Sequence, residues 1–477
     1  MSQALSRRDF RHSKIVCTLG PSSSDHDVIE QLAKAGMNVA RLNFSHGDQA
    51  SHLQVLRQIK GLNKRLNHPI SVLLDLQGPE IRTGVVSEGL ALEVGDTVSL
   101  TVSPVDDPEE KSVHVNYEDL VNDLRAGDRV TVDNGLINLE VLVIHAKKLT
   151  CKVIDGGTIG SRRHVNLPGI RVNLPSITEK DKRDIQFGID HEVDFIALSF
   201  VRSPRDVLEA REMIEAAHTR TQLIAKIENQ EGVDNFPAIL AVSDGIMVAR
   251  GDLGVEVDLR ELPVIQRRIV RACAIAGKPV IVATHLLESM IHAPTPTRAE
   301  VTDVANAVYE EADALMLSGE TAAGQHPVRC VQVLDSIIRR IEKEPGLDFH
   351  LARHPDGQSA ELARAACRLA DSMGARAIVV ITRRGLLAQL VSSFRPRDAM
   401  IYAFTNMSSA RRKLWLLRSV VPFVIDLHHE PEATVNEAFA RLRQRNRLLP
   451  GDFVVVVSDV VVGEDVTTTS IQVRRFE

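Results

Sequence analysis

Residues 223–232 read LIAKIENQEG, a short run of strand-forming residues that carries two charges, Lys226 and Glu228, two positions apart. In a strand, residues i and i+2 share a side, so both charges project together while Ala225 and Ile227 point the other way. Charges at the end of a buried strand must be paired, bound to a metal or exposed. A strand that ends in a lysine and a carboxylate needs a shared polar cavity at its C-terminal end.

Working outward from this run, the same unit recurs. KIVCTLG (14–20), VARLNF (39–44), SVLLDL (71–76), FIALSF (195–200), GIMVAR (245–250), PVIVAT (279–284) and ALMLSG (314–319) are apolar runs of strand length. Between most of them lie stretches such as DHDVIEQLAKAG and SPRDVLEAREMIEAA, whose apolar residues recur at helical spacing. With LIAKIE (223–228) the runs make about eight strands alternating with helices, the pattern of a (β/α)8 TIM barrel, whose active site lies at the C-terminal ends of its strands.

The alternation breaks between the third and fourth runs. There LALEVGDTVSLTV, DRVTVDNG and TCKVIDGG follow a period of two between turn residues, which predicts an inserted small β-barrel domain. Gly78-Pro79 leads in and Pro168-Gly169 with Pro175 leads out, as in a hinged lid over the mouth. Thr178 and Asp181 form a capping box where the barrel resumes. After about residue 346, ARAIVVIT, AMIYAF, VPFVID, DFVVVVS and TSIQVRRF predict a third, α/β unit. The expected division is barrel at 1–78 and 176–345, lid at 79–175, and a C-terminal α/β regulatory unit at 346–477.

Net charge is −6 with 44% apolar residues, which predicts a globular chain with no global basic field for nucleic acid or anionic lipid. The start, MSQALSRRDFRHSK, lacks the apolar segment of a signal peptide, and no stretch reaches the roughly 20 apolar residues of a membrane span. The five cysteines include no CxxC. A cytoplasmic protein is expected.

The residues closing the runs should face one cavity: Arg41, Asn43 and Ser45; Asp75; Ser199; Lys226 and Glu228; Arg250 and Asp252; Thr284; Ser318 and Glu320. Glu228 and Asp252 can offer carboxylate oxygens to one Mg²⁺, the plainer reading being two solvated loop carboxylates. Lys226 beside them suits charge developing on a phosphoryl group or an enolate, or simply pairs with Glu228. Arg41 and Arg82 are anion binders or ion-pair partners. Glycines flank Asp252 closely enough for backbone N–H groups to meet a carboxylate. Asn43, Ser45 and Asp75 offer oxygens for a monovalent cation or hydrogen-bond within the mouth; Thr284 relays a proton or caps its strand.

In this order along the chain, KIVCTLGPSS, ARLNFSHG, LLDLQGPEIRTG, VNLPG, AKIENQEG, MVARGDLGVE, ATHLLESM, PTRAEVTDVANAV and LMLSGETAAG closely resemble the pyruvate kinase family. The resemblance implies phosphoryl transfer from phosphoenolpyruvate to ADP in glycolysis. By motif it assigns Glu228 and Asp252 to Mg²⁺, with Mn²⁺ as an alternative, and Lys226 to the transferring phosphoryl group and enolate. It assigns Arg41 to phosphate, Gly251 and Asp252 to backbone donation toward the substrate carboxylate, Ser199 to the substrate pocket and Thr284 to proton delivery. Asn43, Ser45, Asp75 and the Leu76 carbonyl correspond to K⁺ ligands, and Asn43, His46, Arg82 and Arg163 to the nucleotide side. A homotetramer is implied as well.

Four departures stand out. His285 replaces the usual glutamine after Thr284, where it either tunes protonation or packs locally. Leu76-Gln77 replaces a small hydroxyl residue and a lysine, leaving only a backbone K⁺ ligand there. Glu80 is the glutamate of K⁺-dependent members, so K⁺ activation is expected. Arg162-Arg163-His164 stands where KKG usually precedes VNLPG. In VVITRRGLL, Arg384 and Leu387 replace the hydroxyl residues usual in members activated by fructose 1,6-bisphosphate. Thr382, Arg383, Arg384 and Gly385 then form either a site for another phosphorylated metabolite or an ordinary exposed turn.

Two other classes share these residues. Another barrel enzyme acting on phosphoenolpyruvate or a 2-oxo acid, a mutase or an aldolase, would need neither ADP nor a lid of roughly a hundred residues. A non-catalytic metabolite sensor on the same scaffold would be signalled by loss of Lys226 or a metal carboxylate, and all three are present.

Overall fold

The computed structural model describes residues 11–86, 89–103, 111–462 and 466–477; the basic start of the chain through residue 10 lies outside them. Eight parallel strands close into a barrel: Lys14–Leu19, Val39–Asn43, Ser71–Asp75, Phe195–Leu198, Gln222–Ile227, Gly245–Ala249, Val280–Ala283 and Ala314–Leu317. Neighbours in the barrel are neighbours in this list, and the last strand pairs with the first.

The alternation expected of each run decides which side chains face where. Val16, Val39, Leu73, Phe195, Ala197, Ile224, Met247, Ile281 and Met316 fill the interior. Their neighbours Ile15, Cys17, Leu74, Ile196, Ala225, Ile227 and Val282 pack outward under the helices. Lys226 thus shares its side with Ile224, and the strand carries its charge to the mouth on the interior face. Most of the apolar runs are longer than the strands they form. Phe44, Leu76, Ser199, Glu228, Arg250, Thr284 and Ser318 all lie just past the last strand residue, where the chain leaves the ladder and turns. Phe200 and Thr284 do so with φ of 53° and 66°, in the left-handed region.

The insertion holds a six-stranded sheet in the order Val165–Asn166, Arg129–Val132, Ile137–Ile144, Lys148–Asp155, Thr97–Thr101, Ser112–His114. Arg82 bridges to His164 beside one edge and Thr83 bridges to Val115 beside the other, so the entering chain closes the sheet into the small barrel expected. A buried core of its own, including Val98, Leu100, Val130, Leu139, Leu149 and Val153, fills it.

Gly78, at the lid's entry, has φ of +73°, and a Cβ there would meet the Ser199 Cβ at 2.8 Å, so only glycine fits. Its N–H donates to Asp181 Oδ1 at 3.1 Å, while Asp181 Oδ2 accepts from the Thr178 backbone at 2.9 Å. The capping box at the lid's exit therefore also grips its entry. Thr178→Ala, which removes the side chain that accepts from Asp181 N, is expected to cost about 1 kcal/mol, read as a lower urea midpoint.

The C-terminal sheet runs Val420–Val424, Met400–Thr405, Ala377–Ile381, Phe453–Val462, Val466–Arg475, parallel except for the last pair. It meets the barrel at the N-terminal ends of the strands. Leu416, from this unit, joins the barrel's interior layer and closes its lower end. Lys14 Nζ donates to the Val420 carbonyl at 2.7 Å, and Arg395 pairs with Asp313, which precedes the last barrel strand. All five cysteines are free and buried. Among the described residues no helix is long and apolar enough to cross a membrane.

Candidate active site

The opening lysine is held by three groups from three strand ends. Lys226 Nζ donates to Ser199 Oγ at 2.7 Å and lies 2.9 Å from Glu228 Oε1 and 3.1 Å from Asp75 Oδ1. Asp75 Oδ2 in turn accepts from Arg41 Nε at 2.6 Å, and Arg41 Nη1 donates to Thr18 Oγ1 at 3.0 Å. Two cations and two carboxylates thus form one buried network on the interior face of the mouth, of the kind that is stable only when mutually paired.

Burial sets the electrostatics. It works against the Lys226 charge, but Asp75 and Glu228 more than offset it and raise the lysine's pKa, so the ammonium persists at working pH. Burial likewise opposes ionisation of Asp75, yet Lys226 and Arg41 outweigh it and hold that carboxyl below its usual range. Glu228 goes the other way: burial pushes it up to about 7 against the pull of Lys226, with Asp252 adding to the rise. Its Oε2 accepts from the Phe200 backbone at 2.7 Å. Glu228 Oε1 and Asp75 Oδ1 are buried near the ammonium without a well-directed hydrogen bond. Carboxylate oxygens are the ligand type that a divalent cation requires, and Glu228 offers them at the mouth, where Oε1 is held by the Lys226 ammonium and Oε2 by Phe200 N.

Thr284 stands just past the strand Val280–Ala283. Its hydroxyl donates to the Ala283 carbonyl at 2.6 Å and accepts from Gly251 N at 2.7 Å. The backbone donor expected to meet a substrate carboxylate is therefore engaged by the threonine in this state. Arg250 clamps the same turn: its guanidinium reaches the Thr284 carbonyl at 2.5 Å and Asp303 at 2.7 Å. His285 is exposed beside it.

The expected cation and nucleotide residues are less tightly gathered. Asn43 Oδ1 accepts from Ser45 N at 3.2 Å, and the Leu76 carbonyl accepts from Ser199 Oγ at 2.7 Å. Together with the pairing of Asp75, these are the hydrogen bonds within the mouth that were the plainer expectation. His46 is exposed. Arg82 and Arg163 sit on the lid, paired with Glu80 at 2.6 Å and Asp133 at 3.3 Å. Thr382, Arg383, Arg384 and Gly385 lie apart, in the C-terminal unit. There Gly385 N donates to Thr382 Oγ1 at 3.1 Å, and both arginines are exposed.

Some participants escaped the sequence reading. Thr18 carried a usable signal, since it shares the interior parity of Val16, whereas Asp303 lies in a helix with nothing to mark it. Also unforeseen is a group able to hold a metal ion, Glu311, Asp348 and His350, with ligand atoms within 4.8 Å of one another. It lies by the N-terminal end of the last barrel strand, opposite the mouth.

Comparison with known proteins bears on this geometry. The family model "Pyruvate kinase, barrel domain" matches residues 10–331, and "Pyruvate kinase, alpha/beta domain" matches residues 360–474. A pyruvate kinase of Staphylococcus saprophyticus is 42% identical over 473 residues, which is 98% of this chain and 80% of the relative. One of Staphylococcus aureus is 42% identical over 472 residues, with the same shares. A crystal structure of a pyruvate kinase from Cryptosporidium parvum is similar with a TM-score of 0.91 at 36% identity, covering 98% of this chain and 96% of that one. Likeness of this degree runs through the barrel, the insertion and the C-terminal unit together, and this chain belongs to the pyruvate kinase family.

Proposed function

We infer that the chain transfers the phosphoryl group of phosphoenolpyruvate to ADP, giving pyruvate and ATP. Beside family membership, the observation that carries this reading is Lys226, a buried permanent cation at the barrel mouth between Asp75, Glu228 and Ser199. Glu228 and Asp252 would hold Mg²⁺ or Mn²⁺, and Asn43, Ser45, Asp75 and the Leu76 carbonyl would hold K⁺. When bound, these ions supply charge neutralisation and orientation to the phosphoryl oxygens.

The chain's own groups do the rest. Arg41 spends Nε on Asp75 and Nη1 on Thr18, which orients the guanidinium and leaves Nη2 to a phosphate oxygen. An ADP oxygen attacks phosphorus in line, the bond to the enol oxygen breaks, and the Lys226 ammonium faces the charge that develops on both sides of that bond. The lid, residues 79–175, carries Arg82 and Arg163 toward the nucleotide and excludes water when down. A substrate carboxylate arriving at Gly251 N would release Thr284 Oγ1, whose hydroxyl then serves proton delivery to the enolate carbon. Ser199 relays between the Lys226 ammonium and the Leu76 carbonyl, fixing the lysine's direction.

Pyruvate formation tests the reading. Turnover is expected to need phosphoenolpyruvate, ADP and a divalent ion together, and to rise when K⁺ replaces a bulky monovalent cation. Turnover independent of ADP would transfer the site to another enolate chemistry, and phosphoenolpyruvate binding without turnover would leave a sensor.

The raised pKa of Glu228 adds a pH signature. A carboxyl that burial holds protonated above its usual range competes with the metal, so affinity for Mn²⁺ is expected to fall as the pH is lowered. Calorimetric titrations at descending pH check this; an affinity that rises as the pH falls would deny the competition.

The regulatory reading is a phosphorylated metabolite at Thr382, Arg383, Arg384 and Gly385, supported by the exposure of both arginines at the start of the helix Leu386–Ser393. Assembly as a homotetramer draws support from Leu259 and Val264, which leave 70% and 60% of their surface open at the start of the helix Leu262–Ala276.

A further inference from the structure

The helix Arg250–Glu256 opens with Gly251 and Asp252 and closes on Glu256. Asp252, Val255 and Glu256 are spaced i, i+3 and i+4, which puts them on one face of that helix. The lid meets the face at all three. His164 Nδ1 stands 3.9 Å from Asp252 Oδ1, a Cβ on Gly135 would come within 3.9 Å of the Val255 methyls, and Asn166 Nδ2 donates to Glu256 Oε1 at 2.7 Å.

The lid is built to match. His164 and Asn166 lie two positions apart on the edge of the lid's sheet, so both side chains leave it on one side. Two strand residues advance about 6.8 Å and four helical residues about 6.0 Å, so strand and helix run side by side in one register. Asp133 N donates to the His164 carbonyl at 2.9 Å, which ties the turn before Gly135 to the same edge.

The bond to Glu256 is the firm contact of the three. Burial pushes the Glu256 carboxyl up, and the Asn166 side chain is the strongest influence drawing it down. Asn166 is 4% exposed, and its Oδ1 is buried with no hydrogen-bond partner among the described residues. An apolar side chain would spare the lid that desolvation, so the amide is explained by Glu256 and not by the lid's own packing. At the other end of the helix, Thr284 Oγ1 holds Gly251 N at 2.7 Å. A helix of seven residues has little rigidity of its own, so its placement follows what grips its two ends.

We propose that Asn166 is a positioning residue: its bond to Glu256 couples the lowered lid to the helix Arg250–Glu256 and so fixes Gly251 N and Asp252. This rests on the reading of Gly251 and Asp252 as substrate and metal groups. Once a substrate carboxylate takes Gly251 N from Thr284, the lid's bond is the one of the two grips that stays.

The test is a double-mutant cycle on the full chain with Asn166→Ala, Glu256→Ala and the two together, beside Glu256→Gln, whose amide oxygen still accepts from Asn166 Nδ2. The kcat for pyruvate formation is expected to fall about tenfold in each alanine variant, to fall no further in the pair, and to stay within about threefold of wild type in Glu256→Gln. Hydrogen exchange read by mass spectrometry, without substrates, should quicken across 250–256 in Asn166→Ala and across 162–168 in Glu256→Ala. Unchanged protection of the lid strand Thr97–Thr101 verifies that the lid folds. A pair that loses about a hundredfold, the product of two independent effects, would overturn the proposal. So would a Glu256→Gln variant as slow as Glu256→Ala, or exchange that quickens in the lid of Asn166→Ala with the helix unmoved. A wild type that makes no pyruvate from phosphoenolpyruvate and ADP would bring down the functional reading by itself, and the exchange measurement would still decide the coupling.

Discussion

Lys226→Met is expected to lower kcat by about a thousandfold or more, with the Michaelis constant for phosphoenolpyruvate changed much less. Methionine keeps the length of the stem and removes the ammonium, with its charge and its hydrogen bond to Ser199. That charge is held on by Asp75 and Glu228, at 3.1 and 2.9 Å, against the cost of burial, so it is present at every working pH. In the proposed reaction it would face the oxygen on which negative charge appears as the phosphoryl group leaves, an interaction made chiefly in the transition state, so its loss should fall on kcat. The fold should survive. Asp75 keeps its bond from Arg41 at 2.6 Å, and Glu228, already raised toward neutrality, takes a proton in place of its partner. Steady-state kinetics at saturating metal make the measurement. A variant within tenfold of the wild type would deny Lys226 a part in the chemistry.

Arg395→Ala is expected to be the most damaging single change to stability, at about 3–5 kcal/mol. Arg395 Nη1 and Nη2 meet Asp313 Oδ1 and Oδ2 at 2.7 and 2.8 Å, and the side chains are 5% and 3% exposed. The energy comes less from the pair's attraction than from what its breaking leaves behind, a buried carboxylate that has lost its cation. Asp313 also accepts from Val280 N at 3.1 Å, so the damage spreads to the start of a second barrel strand. Arg395→Lys should recover only part of the loss, since an ammonium cannot reproduce the paired geometry. Urea unfolding of the two variants against the wild type reads both effects. Equal midpoints for Arg395→Ala and wild type would mean that the seam between barrel and C-terminal unit is wet or mobile in solution.

How much of this was legible beforehand varies with the range of the interaction. Period-two alternation and side-chain chemistry are local, and they were enough to place all eight barrel strands, the inserted β-unit and the five C-terminal strands. They also put Lys226 and Glu228 on one side of their strand. The motif resemblance named the residues of the mouth. The partners were a different matter. Lys226 was expected beside Glu228, its neighbour in the chain. That Asp75 and Ser199 complete its cradle depends on the barrel closing with those strands in register, which no local stretch encodes. Arg41 was read as an anion binder or a surface pair; that two of its nitrogens are tied to Asp75 and Thr18 follows only from the interior faces of neighbouring strands converging where the barrel opens.

The chain's sequence by itself determined which residues are strands, which side of each is buried, and what chemistry stands at their ends, because steric and solvation preferences act over a few residues. Only the tertiary structure decided that Leu416 plugs the barrel, that Arg250 and Asp303 hold Thr284, and that His164 of the lid meets Asp252. Those contacts join residues tens to hundreds of positions apart, and they come into being only when the barrel closes, the lid folds over its mouth and the C-terminal unit docks beneath it.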